Sequence, residues 1–514
     1  MLNLAFIYHM HQPYYKNLLT QESELPWVRL HGIKDYLDMV QKLEQFPKIK
    51  QTFNVVPSLF EQIEDYNQGT LKDKYFELTK KPAAELTNSD KEFILQNFFS
   101  INKENVISTF PRYYQLVTKK QHNLEFSTQD YLDLQLCFNL AWIDPTFRQS
   151  IPELKKILLK ERFFSEEDKQ IVLAKQLEIL KQIIPVYRNA QNNQQIEISV
   201  TPYYHPILPL LCSTNIAKEA NKKTVLPKEE FHYPQDAQYQ IDSAVAFYQE
   251  KFGCPPIGMW PSEEAVSEHI LPFIIESGIK WIVTDEAILF RSLKTKKRDS
   301  KLLYQPHLLK RKDGELNIVF RDRNLSDLIG FNYANMKAAD AVGDFMTHLE
   351  NINKAFKDKD ILVTVAMDGE NAWEYFRNDG HDFLNLFYQR ISDTDYIKTT
   401  TISEYLKTNP AKSEIKRLSA GSWIYGEFGK WIGNPYKVKA WEWLAEARKA
   451  LENTKDPSDL AWKQMYILEG SDWFWWYGED PDGSFDKLFR LHLTNFYKLI
   501  NQEPPEYLLN SLTP

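Results

Sequence analysis

Cysteine is nearly missing from this chain. Cys137, Cys212 and Cys254 are the three it has in 514 residues, too few and too scattered for a disulfide framework or a CxxC metal site. A reducing compartment is the expectation that follows. Positive charge is not in excess either: the formal net charge is -8, and without a long basic stripe no nucleic-acid partner is expected. The one basic run, "KTKKRDSKLL" from 294, reads as a solvated loop. No apolar stretch is long enough to cross a bilayer, and "MLNLAFIYHMHQP" lacks the basic opening of a signal peptide, so the protein is expected in the cytoplasm and away from membranes. Glycine is scarce at 17 residues. No glycine-rich loop can cradle a phosphate and no serine sits in a nucleophile elbow.

Aromatic residues are plentiful instead, with 31 Phe, 27 Tyr and 13 Trp making up 14% of the chain. That is enough to fill a large core and still line a groove. Seven short apolar runs end in polar residues: "NLAFIYHMHQ" from 3, "KQTFNVVPS" from 50, "QIEISVTP" from 195, "PIGMWPSE" from 256, "KWIVTDE" from 280, "LNIVFRDR" from 316 and "ILVTVAMDGE" from 361. Near-continuous apolar strands alternating with helical segments indicate a parallel sheet covered on both faces. The expected fold is α/β, an incomplete (β/α)7 TIM-like barrel over residues 1–385 with a helical insertion at about 60–190. Within that insertion Ser89 and Ser165 are expected to cap helices. Past 385 the strand signal fades, and apolar residues at three- and four-residue spacing predict a C-terminal helical bundle over 386–514, packed on the barrel.

In such a barrel the site lies at the carboxyl ends of the strands. The polar residues there are His9 and His11, Asn54, Glu197, Glu263 with Glu264, Asp285 with Glu286, Arg321 with Asp322, and Asp368 with Glu370. Carboxylates dominate. Ser262 is expected to cap a helix in which both Glu263 and Glu264 gain from the dipole. Neighbours on a helix point about 100° apart, so one of the two faces the mouth and the other solvent or an adjoining loop; the residues alone do not choose. Asp368 follows seven β-favouring residues and precedes Gly369, with Asn371 and Trp373 close behind, as a sugar-binding carboxylate would. Two carboxylates converging from different strands suit glycoside hydrolysis. Sugar faces stack on aromatics, which brings in "GSWIYGEFGKWIGNP" from 421 and "EGSDWFWWYGEDPDG" from 469. The rival reading is a metal-dependent hydrolase such as a deacetylase, with zinc at His9 and His11 and His205 nearby. His11 is favoured as a substrate-contacting donor over a ligand, and His9 is as readily a structural partner.

Taken in order, "HMHQPYY", "QQIEISVTPYYHPILPLL", "GMWPSEEAVS", "AMDGENAW" and the stretch around "GSWIYGEFGKW" resemble the five conserved regions of glycoside hydrolase family 57, and "DWFWWYG" resembles a segment of its amylopullulanase-like branch. The resemblance implies a retaining enzyme on α-glucans, with starch, glycogen or maltooligosaccharide as partner and no cofactor or metal; a 4-α-glucanotransferase would use the same intermediate. It also implies Glu263 as nucleophile, Asp368 as acid/base, and His11 and Glu197 at the deepest subsite. Trp260, Trp373, Trp423, Asp472 and Trp473 are the further candidates for substrate contact. Glu264 is left on the surface. Many members carry Gly where this chain has Gln194, which leaves the loop shape there open.

Overall fold

Seven short apolar runs become seven parallel strands in the computed structural model, which describes residues 1–513 except 296, 358, 371 and 480–482. Lys296 of the basic run, Asn371 beside Asp368, and residues 480–482 of the C-terminal aromatic stretch thus lie outside the described residues. The strands are β1 (Leu2–Met10), β2 (Gln51–Val55), β3 (Ile196–Val200), β4 (Gly258–Met259), β5 (Trp281–Asp285), β6 (Gly314–Arg321) and β7 (Ile361–Asp368). Their order in the sheet is β7-β1-β2-β3-β4-β5-β6, extended beyond β6 by an antiparallel strand, His307–Arg311, and by Ser413–Glu414. β1, β2, β3 and β5 are buried at every residue, as parallel strands covered on both faces must be.

Alternation sorts the side chains. Leu4, Phe6 and Tyr8 of β1 join the large cluster that packs under the helices, while Ala5 and Ile7 face a smaller cluster with Val283, Val319 and Ala366 on the other side of the sheet. Polar residues of that second face, Asn54, Ser199 and His9, come together at the carboxyl end.

Between β2 and β3 the regular elements are helices apart from Lys72–Asp73. Ser165 caps the helix α1 (Glu166–Leu180) through a capping box with Asp168. Ser89 is no cap. Thr87 takes that place with Asp90 as its reciprocal partner, because Asp90 lies three residues after Thr87, where its carboxylate reaches back to the cap N–H. Helix α2 (Pro234–Phe252) stops at Gly253, whose φ of 77° suits a left-handed C-cap. Gln194 also has a left-handed backbone, φ 59°, the conformation a Gly would adopt there at no cost.

The sheet does not end at 385 as expected. Ile397–Thr399 pairs with β1 and Ser413–Glu414 with His307–Leu308, and strands of three and two residues are too short to show periodicity. Helices α3 (Pro435–Glu452), α4 (Asp459–Leu468), α5 (Ser471–Trp476) and α6 (Ser484–Leu499) follow. They are tied back by a buried Arg448–Asp236 pair at 2.7 Å. Among the described residues no helix is long and apolar enough to cross a membrane.

Candidate active site

Register places the chemistry. His9 lies opposite Asp368 on β7 and Asn54 on β2, so three polar groups meet where the strands end. The His9 ring is 2.6 Å from Asn54 Oδ1 through Nδ1 and 3.0 Å from His205 Nε2 through Nε2, and His205 Nδ1 is 2.8 Å from Ser471 Oγ. Since Asn54 Oδ1 accepts, one proton order fits throughout: Ser471 donates to His205, His205 to His9, and His9 to Asn54. Burial, then the charge of His11, pushes His9 down to about 3 against the opposing bond from Asn54, and burial lowers His205 as well. Both rings are neutral at physiological pH.

A cleft of about 580 Å³ opens over these strand ends. Glu263, Asp368 and Glu370 line it beside the histidines. Glu263 sits in a single 3-10 turn after β4, Ser262–Glu264, with its backbone left-handed at φ 58°, ψ 24°, and Glu264 follows at φ 52°. Two successive non-glycine residues in that region cost about 1–2 kcal/mol each. The turn is held by Val266 and Gly421, which exchange backbone hydrogen bonds at 2.8 and 3.0 Å, and by Trp423 N–H donating to Glu263 O at 3.2 Å. The Trp423 indole N–H also donates to Glu263 Oε2 at 2.7 Å.

Burial, and next the charge of Asp368, holds the Glu263 carboxyl well above the usual carboxylate range, while the Trp423 N–H favours its ionised form. The same two causes, burial first, raise Glu370. Against that rise, the indole N–H is the contact that favours a charge on Glu263. Replacing Trp423 by Phe should therefore lower kcat by roughly 10- to 100-fold, the worth of one hydrogen bond to a charged group, with the fold intact by circular dichroism.

A sequence model described as Glycosyl hydrolase family 57 matches residues 5–417. The chain belongs to that family. Alpha-amylase 1 of Dictyoglomus thermophilum is 26% identical over 266 residues, 51% of this chain and 33% of the relative, so the match spans about a third of that relative's length. Among solved structures, the GH57-type branching enzyme of Pyrococcus horikoshii superposes with a TM-score of 0.61 at 16% identity, over 97% of this chain and 89% of that one. The alpha-amylase AmyC of Thermotoga maritima gives 0.60 at 13%, over 97% and 93%. At such identities the likeness is one of fold.

Within this family 57 chain, Glu263, Asp368, His11, Trp423 and Asp472 all reach the cleft, with His11 Nε2 2.8 Å from Asp472 Oδ1. Four candidates do not line it. Glu197 is on the right face of β3 but at the wrong end: it is the second residue of the strand, and its carboxylate accepts from Trp281 Nε1 at 2.9 Å, Ser403 N at 3.0 Å and Ser403 Oγ at 2.5 Å. Trp260 is fully buried between His9 and Trp423, with centroids 5.1 and 5.7 Å away. Trp373 is plugged into the core, its N–H donating to Gly369 O at 2.7 Å. Trp473 is buried with its N–H on Ile467 O at 2.9 Å.

On α5 the cleft takes Asp472, Trp475 and Trp476. These are i, i+3 and i+4 of one helical face, and that spacing was the signal that Trp473 faces elsewhere. The segment after β1 and the helical insertion add Trp27, His31 and Trp142, and the loop after β7 adds Glu374 and Tyr375. No local pattern marks these, because long-range packing brings them in.

Glu264 is the sharpest correction. It is fully buried, and neither carboxyl oxygen has a hydrogen-bond partner among the described residues. Ser262 caps nothing, since no helix follows and Pro261 precedes the turn; the 100° rule and the dipole gain both presupposed a helix. The zinc set of His9 and His11 is also unsupported, because both His9 nitrogens are engaged. His11, His205 and Asp472 have ligand atoms within 4.8 Å of one another. Yet the His11 and His205 rings stack at 3.9 Å and 19°, which sets their in-plane lone pairs side by side instead of converging on an ion.

Proposed function

We propose that this enzyme cleaves α-glucans with retention, by double displacement. Glu263 attacks the anomeric carbon while Asp368 protonates the leaving oxygen; Asp368 then takes a proton from the water that opens the covalent intermediate. The observation that carries the reading is the presence of Glu263 and Asp368 in one aromatic cleft, with an indole N–H on the nucleophile and the charge of Asp368 felt at Glu263. Retention requires their carboxyl groups about 5 to 5.5 Å apart. Sugars offer apolar faces and hydroxyls, which Trp475, Trp476 and Tyr375 on one hand and Glu370 and Asp472 on the other can meet.

We also read the sheet as an incomplete (β/α)7 barrel. Asp322 N, just past β6, donates to Thr364 O of β7 at 2.8 Å, and Arg321 Nη1 donates to Ala366 O at 3.3 Å, which supports the approach of the two ends of the strand order. The helical part is placed after Ser413–Glu414 instead of at 385, and the three free thiols suit a cytoplasmic enzyme.

A sugar hydroxyl in place of water would give 4-α-glucan transfer from the same intermediate. Incubation with maltoheptaose followed by chromatography of the products separates the two. Hydrolysis predicts shorter oligomers alone; oligomers longer than seven units overturn it in favour of transfer, and an inverted anomer in the first product sinks retention.

A further inference from the structure

Glu264 is a buried acid that double displacement does not use. The charged groups facing it are Arg321, Asp285, Arg323 and Asp327. Burial, before any of these charges, holds its carboxyl well above the usual carboxylate range, in keeping with oxygens that accept no hydrogen bond. Arg321 is fixed on several sides: Nη2 donates to Asp327 Oδ1 at 2.5 Å and Nη1 to Ala366 O at 3.3 Å, with Nε 3.4 Å from Asp285 Oδ2. Its guanidinium lies 5.3 Å from the centre of the Trp423 ring, a cation–π distance. Trp423 in turn grips both the backbone and the carboxylate of Glu263. From the other side Thr284 Oγ1 donates to Glu264 O at 2.6 Å.

We infer that Glu264 and Arg321 are positioning residues that hold Trp423, and through it the Glu263 carboxylate, against the reacting sugar, an inference that rests on Glu263 being the nucleophile. A left-handed turn persists only while its surroundings over-determine it. The Glu264 side chain is fully buried next to that turn, within the electrostatic reach of the arginine that seats the indole. Truncating it opens a cavity into which the turn can relax, and a displacement of 1 Å at a nucleophile is enough to slow chemistry.

The test is Glu264→Ala beside Glu264→Gln on maltoheptaose. The expected result is a kcat roughly 10- to 100-fold lower in Glu264→Ala with KM within about threefold of the wild type, and most of kcat restored in the isosteric, neutral Glu264→Gln. A merely structural role would lower the thermal midpoint without dividing kcat from KM. Unchanged kcat in Glu264→Ala, or a loss in Glu264→Gln as large as in Glu264→Ala, overturns the inference. Should Glu264→Ala not fold, Arg321→Lys carries the test, since it keeps the charge and loses the planar fork over the indole; its kcat is expected to fall in the same way, and an unchanged kcat overturns the inference. If the wild-type protein cleaves no α-glucan, the proposed function fails on its own, and a crystal structure of Glu264→Ala, or of Arg321→Lys, decides this inference separately. The contact between Trp423 Nε1 and Glu263 should open beyond hydrogen-bonding distance; an intact contact with Glu263 still left-handed overturns it.

Discussion

Glu263→Gln should lower turnover of maltoheptaose on the order of 10⁴- to 10⁶-fold, the scale on which removing a covalent nucleophile acts. The carboxamide has nearly the shape of the carboxylate and its oxygen can still accept from Trp423 Nε1, so geometry survives and only nucleophilicity is lost. Stability should move the opposite way. Burial and the charge of Asp368 raise the folded-state pKa of Glu263, so between the ordinary glutamate range and that raised value the folded state binds the proton that the unfolded state has released. Stability of the wild type therefore falls as pH rises through this window. Gln titrates nowhere. The variant should melt at a higher temperature than the wild type at neutral pH, with the difference shrinking at acid pH below the ordinary glutamate value. A variant that keeps more than a hundredth of wild-type turnover removes Glu263 from the nucleophile's role. Equal melting temperatures at all pH values would show that the site carries no such strain.

What the sequence made legible follows the range of the interaction. The seven strands were visible because each is a contiguous apolar run, and a parallel strand buried on both faces leaves that mark locally. Asp368 was visible because it follows such a run directly. Glu197 failed for the same kind of reason: periodicity of two gives the face of a strand but not the depth along it, and this carboxylate is spent at the amino-terminal end on Trp281 and Ser403, 84 and 206 residues away. Trp373 and Trp473 stand as candidates because one follows Asp368 closely and the other lies in a glycine-flanked aromatic stretch, whereas one packs on Tyr8 and the other against His492. The turn at Glu263 and Glu264 was beyond any propensity, since its left-handed glutamates are held in part by Trp423, Thr284 and Gly421, none of which is adjacent in the chain.

Asp368→Asn should cost about 10²- to 10⁴-fold in kcat on maltooligosaccharide, the worth of general acid catalysis, and the loss should depend on the leaving group. An alkoxide cannot depart from a glucan unprotonated, but a nitrophenolate can, so an aryl α-glucoside should still form the covalent intermediate on Glu263 and release its phenol in a burst. The intermediate then stalls, because no base activates water, and a small anion such as azide, which needs no deprotonation, should restore turnover as the α-glycosyl azide. The pH profile supplies the sign. In the wild type, activity should need the Asp368 proton and so fall on the alkaline side as that proton is lost. Asn in place of Asp368 removes both the proton donor and the charge that is the second cause of the rise at Glu263. With an activated aryl substrate the alkaline limb should vanish and the acid limb should shift to lower pH, since Glu263 then ionises more readily. An unchanged alkaline limb, together with equal losses on glucan and aryl substrates, would mean that the proton comes from another acid in the cleft; Glu370, raised by burial beside Asp368, is the group to which the role would then pass.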